Sequence, residues 1–170
     1  TASQNQLAED PELIADFVLE SQEHLVSIES QLLILEQDPG NAEAIHSVFR
    51  SFHTIKGLAG FLELTEIRDV AHELETVLDL ARSGQLTITP AVIDVALACA
   101  DFLKQWVERL QAPSGERHLI AVPPSAPLIQ QILALRSKDP VTAPAPEAAA
   151  ANGTVAAVEV KEQAEAERRR

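Results

Sequence analysis

The chain has 170 residues, 46% of them hydrophobic, with 26 acidic side chains against 13 Lys or Arg and a formal net charge of −13. So acidic a net charge argues against a nucleic-acid partner, which requires a basic face, and against an anionic membrane surface. The apolar residues are mainly Leu, Ile, Val and Ala, with no Tyr and one Trp, a composition suited to helices packed on helices in one domain of ordinary size plus a tail.

The acid is unevenly spread. Residues 1–40 hold nine Asp or Glu and no Lys or Arg. This reads first as a solvated helix face and second as a means of repelling wrong partners. One cysteine, Cys99, lies in the apolar run Val95–Ala100; it precludes an intrachain disulfide and reads as a small buried hydrophobe. No apolar run is long enough to span a bilayer and no signal peptide is visible, which predicts a cytoplasmic location. The absence of Met and the charged end Glu165–Arg170 read as a piece of a longer protein.

In chain order, Asp10-Pro11-Glu12 predicts a helix start, with a capping Asp, Pro at the first helical position and acid in the first turn. Leu13, Phe17, Leu25, Ile28, Leu32 and Leu35 then recur at helical period. Asp38-Pro39-Gly40-Asn41 stops this helix and caps the next. The second helix is expected from Ala42 to Leu62, with a core stripe of Ile45, Val48, Phe49, Phe52, Ile55, Ala59 and Leu62. Thr65 is the expected cap of a third, with a stripe at Ile67, Val70, Ala71, Leu74, Val77, Leu78 and Ala81, ending at Ser83-Gly84-Gln85.

Thr89-Pro90 opens a fourth helix to about Leu110, broken by Pro113-Ser114-Gly115. Residues 112–124 read as an irregular loop and Ala126 to Arg136 as a short fifth helix. Residues 1–137 are therefore expected to form one all-α domain, an antiparallel up-down four-helix bundle with a short fifth helix. Residues 138–170, Pro/Ala-rich and then charged, read as a flexible, disordered linker.

The candidate site lies on the second helix. At 100° per residue, with Ile45 at zero, the apolar stripe centres near about 330° and His53 falls near about 80°, on the flank and partly exposed. Gly57 and Gly60 share that flank. Side chains lean towards the helix N-terminus, so residues one turn later would cover His53; two of those positions are glycine. Each glycine costs about 1 kcal/mol of helix stability relative to Ala. The result is either a bare patch for a docking partner or a place where another helix packs closely. Arg50 and Lys56 sit three residues either side of His53, cations suited to a phosphoryl group.

The second and third helices join by a short turn near Leu64 and should be antiparallel. His53 and Glu75 are equidistant from Leu64, as are Lys56 and His72, so two polar pairs lie level across one hairpin. Periodicity leaves open whether the two flanks face each other or both face away. If they face, Glu75 can accept a hydrogen bond from His53 Nδ1–H. That leaves Nε2 as the free nucleophile and stabilises the charge that grows as it attacks. No P-loop is present, so ATP would have to be bound elsewhere.

The run Phe49-Arg50-Ser51-Phe52-His53-Thr54-Ile55-Lys56-Gly57-Leu58-Ala59-Gly60 resembles the H-x-x-K-G signature of histidine phosphotransfer (HPt) domains. It is most similar to the N-terminal phosphotransfer domain of CheA-type chemotaxis histidine kinases. The stretch Ala71-His72-Glu73-Leu74-Glu75, followed by Leu78-Asp79-x-Ala81-Arg82-x-Gly84, resembles the same family.

The resemblance implies a two-component role. His53 would take the γ-phosphoryl group of ATP at Nε2 from a separate kinase domain of the parent, in trans within a dimer. It would then pass that group to an aspartate of a CheY-like response regulator. Glu75 would orient His53, Lys56 would contact the phosphate, His72 would belong to the same polar network, Gly57 would keep the site open, and Gly60 and Arg50 would border it. The chain itself would need no cofactor: ATP and magnesium come with the kinase domain, and magnesium with the regulator. Phe61-Leu62-Glu63-Leu64 departs from the family, being bulkier than the small, glycine-containing turn common in relatives.

Two other readings compete. One is a metal-binding bundle using His53, His72 and Glu75, which Lys56 beside the cation would disfavour. The other is a catalytically silent helical adapter. His24, His46 and His118 read as surface residues.

Overall fold

The computed structural model describes residues 7–138, all helices and turns. The linker reading, from residue 139 onward, lies outside the described residues. After a 3-10 turn at Leu7–Glu9 come α1 (Pro11–Gln37), α2 (Ala42–Phe61), α3 (Thr65–Arg82), α4 (Pro90–Gln111) and α5 (Ser125–Lys138), with a second 3-10 turn at Arg117–Leu119 in the α4–α5 loop.

The helix starts use the local chemistry expected of them. Asp10 accepts hydrogen bonds from the Glu12 and Leu13 amides, Asn41 from Ala44 and Thr89 from Val92. Thr65 is different. It is the first residue of α3 rather than its cap, and Leu64 holds the cap position with no side-chain hydrogen bond.

The reason is the turn before it. Glu63 adopts a left-handed φ of 57°, the Leu64 amide bonds the Ala59 carbonyl at 2.9 Å, and the Glu63 amide bonds Gly60 at 3.2 Å. This closing motif ends α2 and carries the backbone directly into α3. The same motif ends α3. There Gly84 takes φ 77°, and the Gln85 amide bonds Leu80 at 2.8 Å.

Packing follows the apolar stripes. α2 and α3 share the most extensive contact; α1 packs on α2 and α4, and α5 lies against α3 and α4. The start of α1 borders the end of α4, so those two run antiparallel as well. Every stripe residue expected on α3 is buried, and α2 buries Ile45, Val48, Phe52, Ile55 and Ala59, with Phe49 at the edge of the core. Phe52 is fully buried; its truncation to Ala is worth about 3–5 kcal/mol in such a core. Cys99 is buried, and burial pushes its thiol up to about 12.

Candidate functional site

The α2–α3 hairpin brings the two flanks face to face. His53 Nδ1 stands 3.3 Å from Glu75 Oε2, and Lys56 Nζ lies 2.8 Å from the same oxygen. Lys56 donates an aligned hydrogen bond to the other oxygen, Oε1, at 3.0 Å. The imidazole is 60% exposed while the carboxylate is 14% exposed, so a shielded anion holds the inner edge of a solvent-facing ring. Oε2 is itself buried and, in spite of two short approaches, has no donor aligned on it. A lone pair therefore remains available to Nδ1–H, and a small rotation of the ring would align it.

The Lys56 ammonium makes this burial tolerable, since a carboxylate removed from water needs a partner. A carboxylate beside Nδ1 is an acceptor for Nδ1–H, the tautomer that leaves the lone pair on Nε2.

The remaining expected site residues are placed as follows. His72 is exposed, and no hydrogen bond or ion pair joins its ring to His53, Lys56 or Glu75. Equal height on the hairpin does not bring it in, because Lys56 turns towards Glu75 instead. Arg50 is exposed and lines a cleft of about 500 Å³ between α1 and α2 with His24, Ser51 and Thr54, rather than bordering the Glu75 carboxylate. A Cβ added at Gly57 would meet nothing within 4 Å. One added at Gly60 would touch only the Arg68 side chain, at 3.6 Å. No neighbouring backbone approaches either glycine that closely, and the surface over Gly57 is open.

Among the described residues no group of three His, Cys, Asp or Glu side chains is placed to hold a metal ion. The Lys56 ammonium occupies the carboxylate that a metal site here would need.

Three contacts escaped the sequence reading. His24 is half-buried, its Nδ1 3.2 Å from the buried Ser51 hydroxyl, and is not the surface residue expected. The buried serine needs a polar partner and α1 supplies it. Phe49 stacks on the His53 ring, with centroids 6.0 Å apart and planes 20° apart, and the Arg82 guanidinium lies over Phe49 at 4.1 Å. The sequence carried a signal for the last of these, because Asp79, which holds Arg82, is level with Phe49 across the hairpin.

An all-helical bundle presenting an exposed histidine with a shielded carboxylate at its inner edge is the arrangement of the histidine phosphotransfer class. The model of the Hpt domain family matches residues 12–113, and the chain belongs to that family.

Its similarities are to chemotaxis proteins. It is 38% identical over 101 residues to the chemotaxis protein CheA of Treponema pallidum, covering 59% of this chain and 12% of that protein. It is 35% identical over 107 residues to CheA of Bacillus subtilis, covering 62% and 16%. The chain thus spans less than a fifth of the length of these relatives.

Among solved structures, the CheA phosphotransferase domain from Thermotoga maritima matches with TM-score 0.59 at 33% identity, covering 61% of this chain and 98% of that one. The solution structure of a CheA histidine phosphotransfer domain matches with TM-score 0.62 at 28% identity, covering 74% and 92%. The phosphorylated P1 domain of CheA3 in complex with CheY6 from R. sphaeroides shares the fold, with TM-score 0.61 at 23% identity, covering 73% and 94%. No helix among the described residues is long and apolar enough to cross a membrane.

Proposed function

We propose that His53 is the phosphoacceptor of this Hpt domain, loaded from ATP by a separate kinase domain and unloaded onto an aspartate of a response regulator. One observation carries the assignment: Glu75, shielded and paired with Lys56, lies against Nδ1 of an exposed imidazole.

The chemistry follows from that geometry. The Nε2 lone pair forms the N–P bond as the bond between the γ-phosphorus and the bridging oxygen of ATP breaks, and ADP departs with that electron pair. Nδ1 keeps its proton, so the ring becomes cationic. The Glu75 carboxylate offsets that charge; when the phosphoryl group moves on, the N–P electron pair returns to Nε2 and the ring is neutral again. Phosphoryl transfer asks little else of a protein than positioning and charge neutralisation. Lys56 pairs with the carboxylate in its shielded position, and Gly57 leaves room for the incoming phosphorus.

ATP and its magnesium belong to the kinase domain in this reading, and a second magnesium to the regulator. The parent is read as a cytoplasmic CheA-type histidine kinase and the acceptor as a CheY-like receiver, a partner for which the complex of the CheA3 P1 domain with CheY6 is the precedent. Residues beyond α5 are read as the linker to the parent's other domains.

The test is to incubate the chain with ATP, magnesium and a separate chemotaxis-kinase catalytic domain. The expected product is acid-labile, base-stable label on His53, absent from His53→Gln. Label that persists in His53→Gln overturns the assignment.

A further inference from the structure

The flank of α2 holds a second arrangement that the acid–base account of His53 does not use. Phe49, one turn before His53, stacks on the imidazole at 6.0 Å, with 20° between the ring planes. The guanidinium of Arg82, from α3, lies 4.1 Å from the centroid of the Phe49 ring. Arg82 is in turn tied to Asp79 one turn earlier, with Nη2 2.6 Å from Oδ1.

The register explains the contact. A helical side chain leans towards the N-terminus of its helix. Arg82 therefore folds back to the height of Asp79, and on an antiparallel hairpin turning at Leu64 that height is the height of Phe49. Glu75 and Arg82 lie two turns apart on the same side of α3. The first reaches the His53 ring at its Nδ1 edge, and the second reaches the aromatic ring stacked on it.

We infer that Phe49 and Arg82 are positioning residues for His53: the clamped phenyl ring fixes the plane of the imidazole so that Glu75 meets Nδ1 and Nε2 points outward. This rests on the reading of His53 as phosphoacceptor.

A carboxylate touching one edge of a half-exposed imidazole does not by itself restrain the ring. Rotation about the Cβ–Cγ bond is broad and roughly two-fold, and a half-turn puts a carbon where Nδ1 stood. A flat ring alongside removes that freedom only if it is held itself. Phe49 is held on one side by the core, against which it is packed. It is held at its π face by a guanidinium whose own position is set by Asp79. Stacked pairs and cation–π contacts of this kind bias a population by about three- to tenfold each. That is the scale needed to favour one ring orientation without locking it.

A merely structural Phe49 would fill the edge of the core and leave the imidazole indifferent. Two measurements on the full chain separate these roles. One is the tautomer ratio of His53 by nitrogen-15 NMR. The other is steady-state phosphorylation by ATP, magnesium and a separate kinase catalytic domain, resolved into kcat and KM.

Arg82→Gln and Phe49→Leu are expected to shift the His53 tautomer away from Nδ1–H. They should lower kcat by about five- to tenfold while KM stays within twofold. Phe49→Tyr and Arg82→Lys, which keep the ring and the cation, are expected to stay within about twofold of the parent. Arg82 is well exposed, so Arg82→Gln carries the test if Phe49→Leu loses helicity.

An unchanged tautomer ratio and kcat in a folded Arg82→Gln overturns the inference, as does a loss that Arg82→Lys fails to restore. If the parent chain takes no label on His53 while the tautomer still shifts, the phosphoacceptor reading fails and the positioning stands. If the parent is labelled and the tautomer does not shift, the positioning alone fails.

Discussion

Glu75 reaches across from α3 to stand 3.3 Å from Nδ1 of His53 on α2, with its carboxylate far more shielded than the ring it touches. That asymmetry lets the outer edge of the imidazole meet a partner while the inner edge is governed from within the protein. Its first consequence concerns rate. Glu75→Gln keeps the shape but removes the charge that offsets an imidazolium. We expect His53 phosphorylation to slow by about ten- to a hundredfold, with the circular dichroism spectrum unchanged. Equal labelling rates for parent and variant would remove the orienting role.

Lys56, also on α2, acts on the same carboxylate. Its Nζ is within 3.0 Å of both oxygens, and Lys56→Met would leave a shielded anion without its cation. The expected loss of stability is about 1–3 kcal/mol, read from urea midpoints. It should nearly vanish when Lys56→Met is combined with Glu75→Gln. Additive losses in the double variant would show that the pair does not couple.

Gly57 spends helix stability on an open surface. Since an added Cβ would meet nothing within 4 Å, Gly57→Ala should raise stability by about 0.5–1 kcal/mol. The same methyl group would stand where a docking partner approaches, so KM for the kinase domain or the receiver should rise about fivefold or more. A stabilised variant with unaltered KM for both partners would exclude a clearance role.

Glu63 occupies a left-handed position, φ 57°, at the end of α2, whereas the equivalent position at the end of α3 is Gly84. Glu63→Gly relieves the clash of Cβ with the following carbonyl, partly offset by the added freedom of the unfolded chain. A net gain of about 0.5–1 kcal/mol in denaturant unfolding is expected. A loss of stability would mean that the Glu63 side chain contributes more than its backbone costs.

Cys99 offers a report on global opening. Burial pushes its thiol up to about 12 from an ordinary 9.0, so the thiolate is scarce at pH 8 and the sulfur is shielded as well. Aromatic disulfide reagents should label the native chain only as fast as it unfolds, and promptly in denaturant. Fast labelling under native conditions would show local opening of α4.

Most of the helix boundaries could be read from a few neighbouring residues, because a cap is a local device. Asp10-Pro11, Asn41 and Thr89-Pro90 satisfy amides two or three positions away, whatever the rest of the chain does. The core stripes could be read for a similar reason, since one period governs all of α3. Glu63 escaped notice because nothing local announces a left-handed residue where glycine is absent.

The site divides along the same line. Position along a hairpin follows from counting outward from its turn, and counting put His53 level with Glu75 and Lys56 level with His72. Rotation about each helix axis does not follow from counting, because it is set by how whole stripes interlock across α1, α2, α3 and α4. Only that packing turned Lys56 to Glu75 and left His72 in solvent, drew His24 against Ser51, and laid Arg82 over Phe49. The sequence alone establishes a helical bundle with a histidine on an exposed flank. The identity of the groups that touch that histidine comes from many side chains packing at once, some a turn away on α2 and others, such as Glu75, from across the hairpin.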